Sequence, residues 1–253
     1  MLRLKEAVGW NQTETDLRRN LQLEPGGCFA IDCDGRLAST ATVIGYGQRL
    51  AWIGMVMTWP EFRGHGFARR LMHHAVEYID SRRIACAMLD AAPMGEPLYR
   101  ELGFEAVAPI ERWGLQREPG TQTRPQCSEP DFSLDREVFG ADRMPLLHSL
   151  REHWREDLGS GQYAMGRPGS DASYFGPMLA IDAMSARRGL DAFLSQSGDG
   201  GVYWDLFPDH AEAVDLAHDC GFRPLRRLLR MRRGAAVEAD YRRMWAIAGF
   251  EYG

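Results

Sequence analysis

The sequence predicts an α/β fold made of two tandem units, each a mixed, mainly antiparallel sheet flanked by helices. Strand-like runs alternate with helix-like stretches along all 253 residues. A polar stretch with several prolines and no apolar periodicity divides the chain, and short segments recur in the same order on its two sides. We therefore expect a first domain at residues 1–116, a linker at 117–131 and a second domain at 132–253.

The composition is that of a globular protein. The chain has 30 basic and 35 acidic side chains, a net charge of −5 and 45% hydrophobic residues, which is too apolar for intrinsic disorder. No apolar run reaches the roughly 18–20 residues that cross a bilayer, and the N-terminus lacks the apolar stretch of a signal peptide. The five cysteines are scattered and form no C-x-x-C pair. We expect a cytoplasmic protein without a metal site, and the acidic balance disfavours a nucleic-acid partner.

In the first half, a helical stretch precedes a hairpin formed around the turn Asp34-Gly35. A further strand, a glycine-containing loop, an amphipathic helix, a strand and a short helix are expected after it. Gly103 is placed to end the short helix in a left-handed conformation. The predicted strands and helices, in chain order, are Cys28 to Asp32, Leu37 to Tyr46, Ala51 to Thr58, Ala68 to Ile79, Ala85 to Asp90 and Glu96 to Leu102.

The second half repeats this order of elements. A helix is expected from about Arg143 to Leu158, because Leu147, Leu150, Trp154 and Leu158 fall on one helical face. The arginine-rich run Arg223 to Arg233 is expected to form a charged strand at the edge of the sheet, where charge discourages aggregation. The elements between them are strands at Gln162 to Arg167, Ala172 to Ile181 and Gly201 to Phe207, and helices at Ala183 to Leu194 and before Cys220.

Three segments of the first half match segments of the second half in the same order. One such match has little weight, but three in order indicate an internal duplication of an α/β unit. The matched pairs are Trp52 to Met55 with Tyr174 to Pro177, Leu89 to Pro93 with Trp204 to Pro208, and Leu102 to Phe104 with Cys220 to Phe222.

The strongest local motif lies between the third predicted strand and the amphipathic helix, at Arg63-Gly64-His65-Gly66-Phe67-Ala68. Glycines at a helix start let the backbone approach a ligand, and the unpaired amides attract phosphate oxygens. A dinucleotide-binding G-x-G-x-x-G motif is disfavoured, because Arg69 stands at its third glycine. A Walker A loop is excluded, since no Gly-Lys-Ser/Thr follows.

The loop also fits the pattern [Q/R]-x-x-G-x-[G/A], with Arg63, Gly66 and Ala68 at the fixed positions. Here the sequence resembles the GNAT family of acyl-CoA-dependent N-acyltransferases. The resemblance runs from the first helix to about Trp113 and includes Pro97 to Phe104, which is similar to the family's L-Y-x-x-x-G-F element. The second half resembles the GNAT-like second domain of tandem members of the family.

The resemblance implies an N-acetyltransferase that uses acetyl-CoA as co-substrate and transfers the acetyl group by direct attack of an amine. The backbone at Arg63, Gly64, His65, Gly66, Phe67 and Ala68 would hold the pyrophosphate. Val56, Met57 and Thr58 would splay from the neighbouring strand and pair with the pantetheine arm. Tyr99 matches the residue that protonates the departing thiolate.

The general base stays open in this interpretation. Family members often carry an acid on the central strand, but Ala51 to Thr58 contains none, which leaves Asp90, Glu61 or a bound water. The resemblance also implies a strand before the first helix. This chain lacks it, so either that strand is absent or the natural start lies upstream of Met1.

Four residues are candidates for contact with the acceptor: Trp10, Asp90, Tyr174 and Asp205. Asp205, at the end of a strand, could hold a cationic amine. The second unit has Ile181 to Ala186 where the glycine loop should be, so it is not expected to bind CoA. The expected partner is a small-molecule or peptide amine; nucleic acid and membrane are not expected, and a homodimer stays open. The alternatives are a non-catalytic acyl-CoA sensor and, less favoured, a nicotinamide-dependent oxidoreductase.

Overall fold

The computed structural model describes residues 1–116, 127–197 and 200–253. Regular structure alternates along both halves in the same order, as the sequence predicts. The helices are α1 Leu2–Ala7, α2 Glu14–Leu23, α3 Phe67–Ser81, α4 Glu96–Glu101, α5 Asp135–Phe139, α6 Met144–Leu150, α7 Ala183–Gln196 and α8 Ala211–Asp219. The strands are β1 Cys28–Cys33, β2 Arg36–Tyr46, β3 Leu50–Thr58, β4 Cys86–Ala91, β5 Glu105–Leu115, β6 Trp154–Gly159, β7 Gln162–Arg167, β8 Ala172–Leu179, β9 Gly201–Leu206, β10 Arg223–Gly234 and β11 Met244–Ala246.

The two units share a single mixed, mainly antiparallel sheet instead of having one sheet each. Its strand order is β1-β2-β3-β4-β10-β5-β9-β8-β7-β6, with β11 paired to β8 beside this path. The pairs β3–β4 and β8–β9 are parallel. The predicted duplication is visible in the elements, since β3-α3-β4-α4-β5 has the same order as β8-α7-β9-α8-β10.

The halves exchange their last strands. β5 of the first half pairs with β9 of the second, and β10 of the second half pairs with β4 of the first. The exchanged strands also pair with each other. The sheet of the first unit is therefore completed by a strand that lies more than one hundred residues further along the chain.

Two equivalent buried ion pairs hold the exchanged strands in place. Arg230 on β10 donates two hydrogen bonds to the carboxylate of Asp90 on β4, both of 2.9 Å. Arg112 on β5 does the same to Asp205 on β9, at 2.7 and 2.6 Å. Each pair joins the first half to the second, and two-point hydrogen bonding between guanidinium and carboxylate fixes the register of the strands.

The expectation for the arginine run is wrong, because β10 lies in the interior of the sheet between β4 and β5. Arg230 is 1% exposed and its charge is compensated by Asp90. The run also contains Leu228 and Met231, which are buried. Four arginines of the run pair with carboxylates on neighbouring elements, which allows a charged sequence to form an interior strand: Arg227, Arg230, Arg232 and Arg233.

The predicted helix from Arg143 to Leu158 is also wrong in its second half. The helix α6 ends at Leu150, and Trp154–Gly159 is the strand β6. Trp154 and Leu158 are both buried against the same cluster. Residues four apart share a face in a helix and also in a strand, so this spacing cannot separate the two.

The apolar stripe of α3 is confirmed. Four residues of α3 are buried against the sheet: Leu71, Met72, Ala75 and Ile79. Their packing holds the N-cap residue, Gly66, beside the end of β3. Of the expected linker, residues 117–126 lie outside the described residues. In the part of the chain that the structure describes, no helix is long and apolar enough to cross a membrane.

Candidate active site

An outer cleft of about 690 Å³ opens where β3 and β4 separate. The two strands are paired at Ala51–Ala87 and Trp52–Met88 and not beyond, in the register that the structure describes. The second half of β3, predicted to splay, indeed lies along the cleft, with Val56, Met57 and Thr58 in its lining. The volume is within the range of about 300–1,000 Å³ that is typical of ligand pockets.

A β-bulge shapes this part of β3. Thr40 and Thr42 of β2 pair with Met57 and Gly54, so two residues of β3 lie opposite one residue of β2. Met55, in the bulge, has a φ of +50°, which is rare for a side chain of this size. The carbonyls of Met55 and Met57 accept hydrogen bonds from side chains of β2 at 2.9 and 2.8 Å. The N–H of Val56 belongs to the same peptide group as the Met55 carbonyl, so it points the opposite way, away from β2.

The glycine loop forms one wall of the outer cleft. Gly64 and Gly66 have φ values of +81° and +75°, and a Cβ on either would meet no atom within 4 Å. Gly66 is the N-cap residue of α3 and no side chain caps this helix. The first amides of α3 are therefore available to an anion, and the helix dipole adds to their attraction. The lining includes Arg63, Gly64, Gly66, Phe67 and Ala68 but not His65.

A smaller inner chamber of about 100 Å³ adjoins the outer cleft. Five residues line both spaces and mark their junction: Trp10, Val56, Ala92, Tyr99 and Arg226. The chamber is formed by both halves of the chain, because its wall includes the loop Gly9 to Gln12, the ends of β3 and β4, residues of β10, and Phe250 with Glu251. A small acceptor in the chamber would thus meet a donor in the cleft at this junction.

Tyr99 stands at the junction with its hydroxyl protonated. It is 8% exposed, and burial raises its pKa to about 12. No hydrogen bond joins its hydroxyl to another of the described residues. Gly95 makes room for the ring, because a Cβ there would lie 2.8 Å from it. A phenol in this position keeps its proton at neutral pH and can donate a hydrogen bond to a leaving group.

The two candidates for the base differ in position. Glu61 is half exposed, pairs with Arg36 and does not line either space. Asp90 lines the chamber, but both of its oxygens are held by Arg230. Burial raises the pKa of Asp90, and Arg230 opposes this shift. Asp90 therefore lies close to the site, but its oxygen lone pairs are largely occupied by the hydrogen bonds from Arg230.

Of the four acceptor-site candidates, Trp10 and Asp90 line the chamber and the other two do not. Trp10 lies in the loop between α1 and α2, as expected, and lines both spaces. Tyr174 and Asp205 line neither. The carboxylate of Asp205 is taken by Arg112, so it is not placed to hold an amine, and the hydroxyl of Tyr174 accepts a 3.5 Å contact from Gln12. Both side chains support the wall of the chamber from behind.

Most residues of the chamber were not among the predicted site residues, and those with polar or aromatic side chains include Gln12, Arg226, Phe250 and Glu251. These four come from three segments that lie far apart in the chain, and none belongs to a recognisable motif. Glu251 is 2% exposed. No periodic pattern in the sequence marks it, because the segment around it forms no long helix or strand. Burial raises the pKa of Glu251, with Arg167 opposing the shift. An isolated acid among apolar residues, in Gly-Phe-Glu-Tyr-Gly, was the available signal.

Among the described residues, no group of three or more His, Cys, Asp or Glu side chains could hold a metal ion. The chain does have an uncapped helix start, an open strand edge and a buried hydroxyl that meet at one cleft. Together with the fold, these features are those expected of an acyltransferase.

Comparison with protein families agrees with this class. Models of the acetyltransferase (GNAT) domain match residues 4–107 and residues 132–246. The chain therefore belongs to the GNAT acetyltransferase superfamily and carries two GNAT domains in tandem. The family implies an acyl-CoA donor. No curated protein matches the chain.

Solved structures share the fold of the whole chain. A candidate acetyltransferase from Pyrococcus horikoshii has a TM-score of 0.80 and 18% identity, over 99% of this chain and 90% of that protein. A GCN5-related N-acetyltransferase from Sphaerobacter thermophilus has a TM-score of 0.62 and 15% identity, over 91% and 89%. A tandem GNAT protein from the clavulanic acid biosynthesis pathway has a TM-score of 0.60 and 14% identity, over 93% of each chain. At these identities the likeness concerns the fold alone.

Proposed function

We propose that the protein is an N-acetyltransferase that moves an acetyl group from acetyl-CoA to an amine, with both substrates bound at once. The observation that carries the proposal is the junction of two adjoining spaces, where Tyr99 and the open edge of β3 meet. Holding both reactants in one site converts a bimolecular reaction into an effectively intramolecular one, which supplies a large part of the rate.

The donor fits the outer cleft in two respects. The uncapped start of α3 and the left-handed Gly64 and Gly66 form a backbone cradle for a pyrophosphate. The unpaired edge of β3 at Val56 to Thr58 offers peptide groups to the amides of a pantetheine arm, as an added strand does. The amide of Val56 is then the candidate hydrogen-bond donor to the thioester carbonyl.

Residues near the junction supply and accept the protons that the reaction moves. The amine nitrogen forms a bond to the acetyl carbonyl carbon, the carbon–sulfur bond breaks, the amine loses one proton and the thiolate gains one. Tyr99 supplies the proton to the sulfur, because its hydroxyl is the acidic group at the junction and is held protonated. On the amine side, Glu251 has a carboxylate oxygen without a partner among the described residues, whereas Asp90 has both oxygens engaged.

The second unit serves a structural purpose in this proposal. The strand position that a pantetheine arm would take along β8 is filled by the chain itself, since Met244 and Ala246 of β11 pair with Leu179 and Met178. The start of α7 is also closed, because the carboxylate of Asp182 accepts a 2.8 Å hydrogen bond from the amide of Ser185. A negative charge at this helix start repels a pyrophosphate. One chain should therefore bind one acetyl-CoA.

Calorimetry with acetyl-CoA tests the donor site, using Gly66→Val and the matched control Gly47→Val. Both glycines have a positive φ, +75° and +66°, with no atom within 4 Å of an added Cβ, but Gly47 is in the β2–β3 turn, at the end of β3 opposite to the cleft. The backbone strain is thus comparable, about 1–2 kcal/mol. We expect Gly66→Val to raise Kd at least tenfold and Gly47→Val to leave it unchanged. Equal effects, or no binding by the unmodified chain, would contradict the proposal.

A non-catalytic acyl-CoA-binding protein is the alternative. It would bind acetyl-CoA in the same calorimetric experiment and release no thiol with any amine. The buried, protonated Tyr99 at the junction favours the enzyme, because a sensor has no need for an acid beside the sulfur.

A further inference from the structure

The charges around the inner chamber are balanced in pairs except at one residue. Asp90 pairs with Arg230, and Arg112 pairs with Asp205. Arg226 lies beside Arg112 in the register of β10 and β5 and lines both the chamber and the cleft. No hydrogen bond or ion pair joins its guanidinium to another of the described residues. The junction therefore carries a cation that has no counter-charge.

The electrostatic setting of Arg226 agrees with this. Arg226 is exposed to the cleft as a residue, yet local desolvation lowers its pKa and the neighbouring charge of Arg112 lowers it further. A shift in this direction means that the cation is less stable here than in water. An anionic group bound at the junction would relieve both effects, and a planar guanidinium binds carboxylates through two parallel hydrogen bonds.

Two other residues that line the chamber, Gln12 and Glu251, need hydrogen-bond donors instead. Oε2 of Glu251 and Oε1 of Gln12 are buried and lack a hydrogen-bond partner among the described residues. The other carboxylate oxygen of Glu251 accepts a 2.9 Å bond from Arg167, and the amide nitrogen of Gln12 reaches Tyr174. Buried acceptors without a donor are costly, so they indicate where N–H groups of a ligand bind.

Resting on the function proposed above, we propose that the acceptor is a small amino acid-like molecule, with a primary amine and a carboxylate. Arg226 binds the carboxylate, and Gln12 and Glu251 accept the N–H groups of the amine. The form that reacts, a neutral amine with an ionised carboxylate, has the one negative charge that the chamber lacks. During attack, the amine proton passes to Oε2 of Glu251, while Tyr99 protonates the sulfur.

The size of the chamber limits the acceptor further. Its volume of about 100 Å³ is smaller than a cavity of about 150 Å³ that accommodates benzene. The chamber therefore takes the amine and carboxylate end, and a short side chain extends into the outer cleft beside Trp10. A protein N-terminus lacks the adjacent carboxylate and does not satisfy Arg226.

The test compares amino acids with their carboxamides and with the corresponding decarboxylated amines, each offered with acetyl-CoA. Thiol release and the mass of the product are measured. We expect at least one amino acid to be acetylated with a kcat/KM tenfold or more above that of its carboxamide. In Arg226→Gln this preference should fall toward one, and in Arg227→Gln, on the same strand but outside both spaces, it should persist.

A binding measurement separates the acceptor site from the donor site. Calorimetric titration of the preferred amino acid into the CoA-loaded protein measures binding at the acceptor site. We expect Arg226→Gln and Glu251→Gln each to weaken this binding about tenfold or more and to leave the Kd of acetyl-CoA within threefold.

Three outcomes would overturn the inference. They are an equal rate with carboxamides or plain amines, no turnover of any amino acid by a protein that binds acetyl-CoA, and a weaker affinity of Arg226→Gln for acetyl-CoA with its acceptor preference intact. The last would assign Arg226 to a phosphate of the donor. Absence of acetyl-CoA binding by the unmodified protein would instead overturn the proposed function itself.

Discussion

Replacing Arg230 by methionine should destabilise the whole chain, because this residue fastens the exchanged strand β10. The side chains of Arg230 and Asp90 are 2% and 0% exposed. Methionine keeps most of the apolar stem but removes the guanidinium, which lies 4.6 Å from the centre of the Trp52 ring, and leaves Asp90 as an uncompensated buried charge. Breaking a buried pair in this way costs about 3–5 kcal/mol of the free energy of unfolding.

The same strand offers a matched control. Arg233 also donates two hydrogen bonds to one carboxylate, that of Asp80, at 2.8 and 3.0 Å, but the two side chains are 32% and 50% exposed. A pair at the surface contributes about 0–1 kcal/mol. Arg233→Met should therefore have a small effect, and the difference between the two variants measures the consequence of burying the pair among the aromatic rings that surround Arg230.

Urea denaturation followed by circular dichroism, and thermal unfolding, are the assays. At about 2–4 °C per kcal/mol for a chain of this size, Arg230→Met should lower Tm by about 6–20 °C. The double variant Asp90→Leu/Arg230→Met should recover most of the loss, since an apolar pair of similar volume replaces an ion pair at little cost. Equal losses in Arg230→Met and Arg233→Met, or no recovery in the double variant, would refute the reasoning.

Two further predictions concern the site. Tyr99→Phe should lower kcat about 10²–10⁴-fold with little change in the KM for acetyl-CoA. Because burial raises the pKa of Tyr99 to about 12, its acid form persists below that pH, and the unmodified enzyme should lose no activity through this residue from pH 7 to 10; a fall near pH 10 in a rate profile would count against it. Asp182→Ala should slightly reduce stability and leave the calorimetric stoichiometry at one acetyl-CoA per chain, because β11 still fills the gap beside β8. A stoichiometry of two would show that the carboxylate of Asp182 alone prevents the second unit from binding acetyl-CoA.

Local features of the sequence predicted many of the elements and the glycine loop before α3. The hairpin at Asp34-Gly35, the stripe of α3 and the loop at Gly64 and Gly66 are each encoded within a few residues, and each is found where expected. The duplication was predicted for the same reason, since it needs only short matches in order. These signals are local, because they depend on turn conformation and on the period of a single element.

The exchange of strands and the inner chamber could not be predicted in this way. A strand that pairs with β4 has the same local pattern whether it comes from its own unit or from the other one. The pairing is decided by contacts between distant segments, such as Arg230 with Asp90. The chamber residues Gln12, Arg226 and Glu251 are likewise brought together only by the complete sheet.

The segment after β10 contributes differently to the two units. Its strand β11 fills the gap beside β8 in the second unit, and the residues that follow cross to the first. There the carbonyl of Phe250 accepts a 2.9 Å bond from the indole of Trp52. The backbone of Glu251 passes so close to Gly54 that a Cβ there would lie 2.9 Å from it. One stretch of chain thus closes one of the duplicated gaps and supplies a wall to the other. The second unit is therefore required for the wall of the inner chamber, even though the glycine loop belongs to the first.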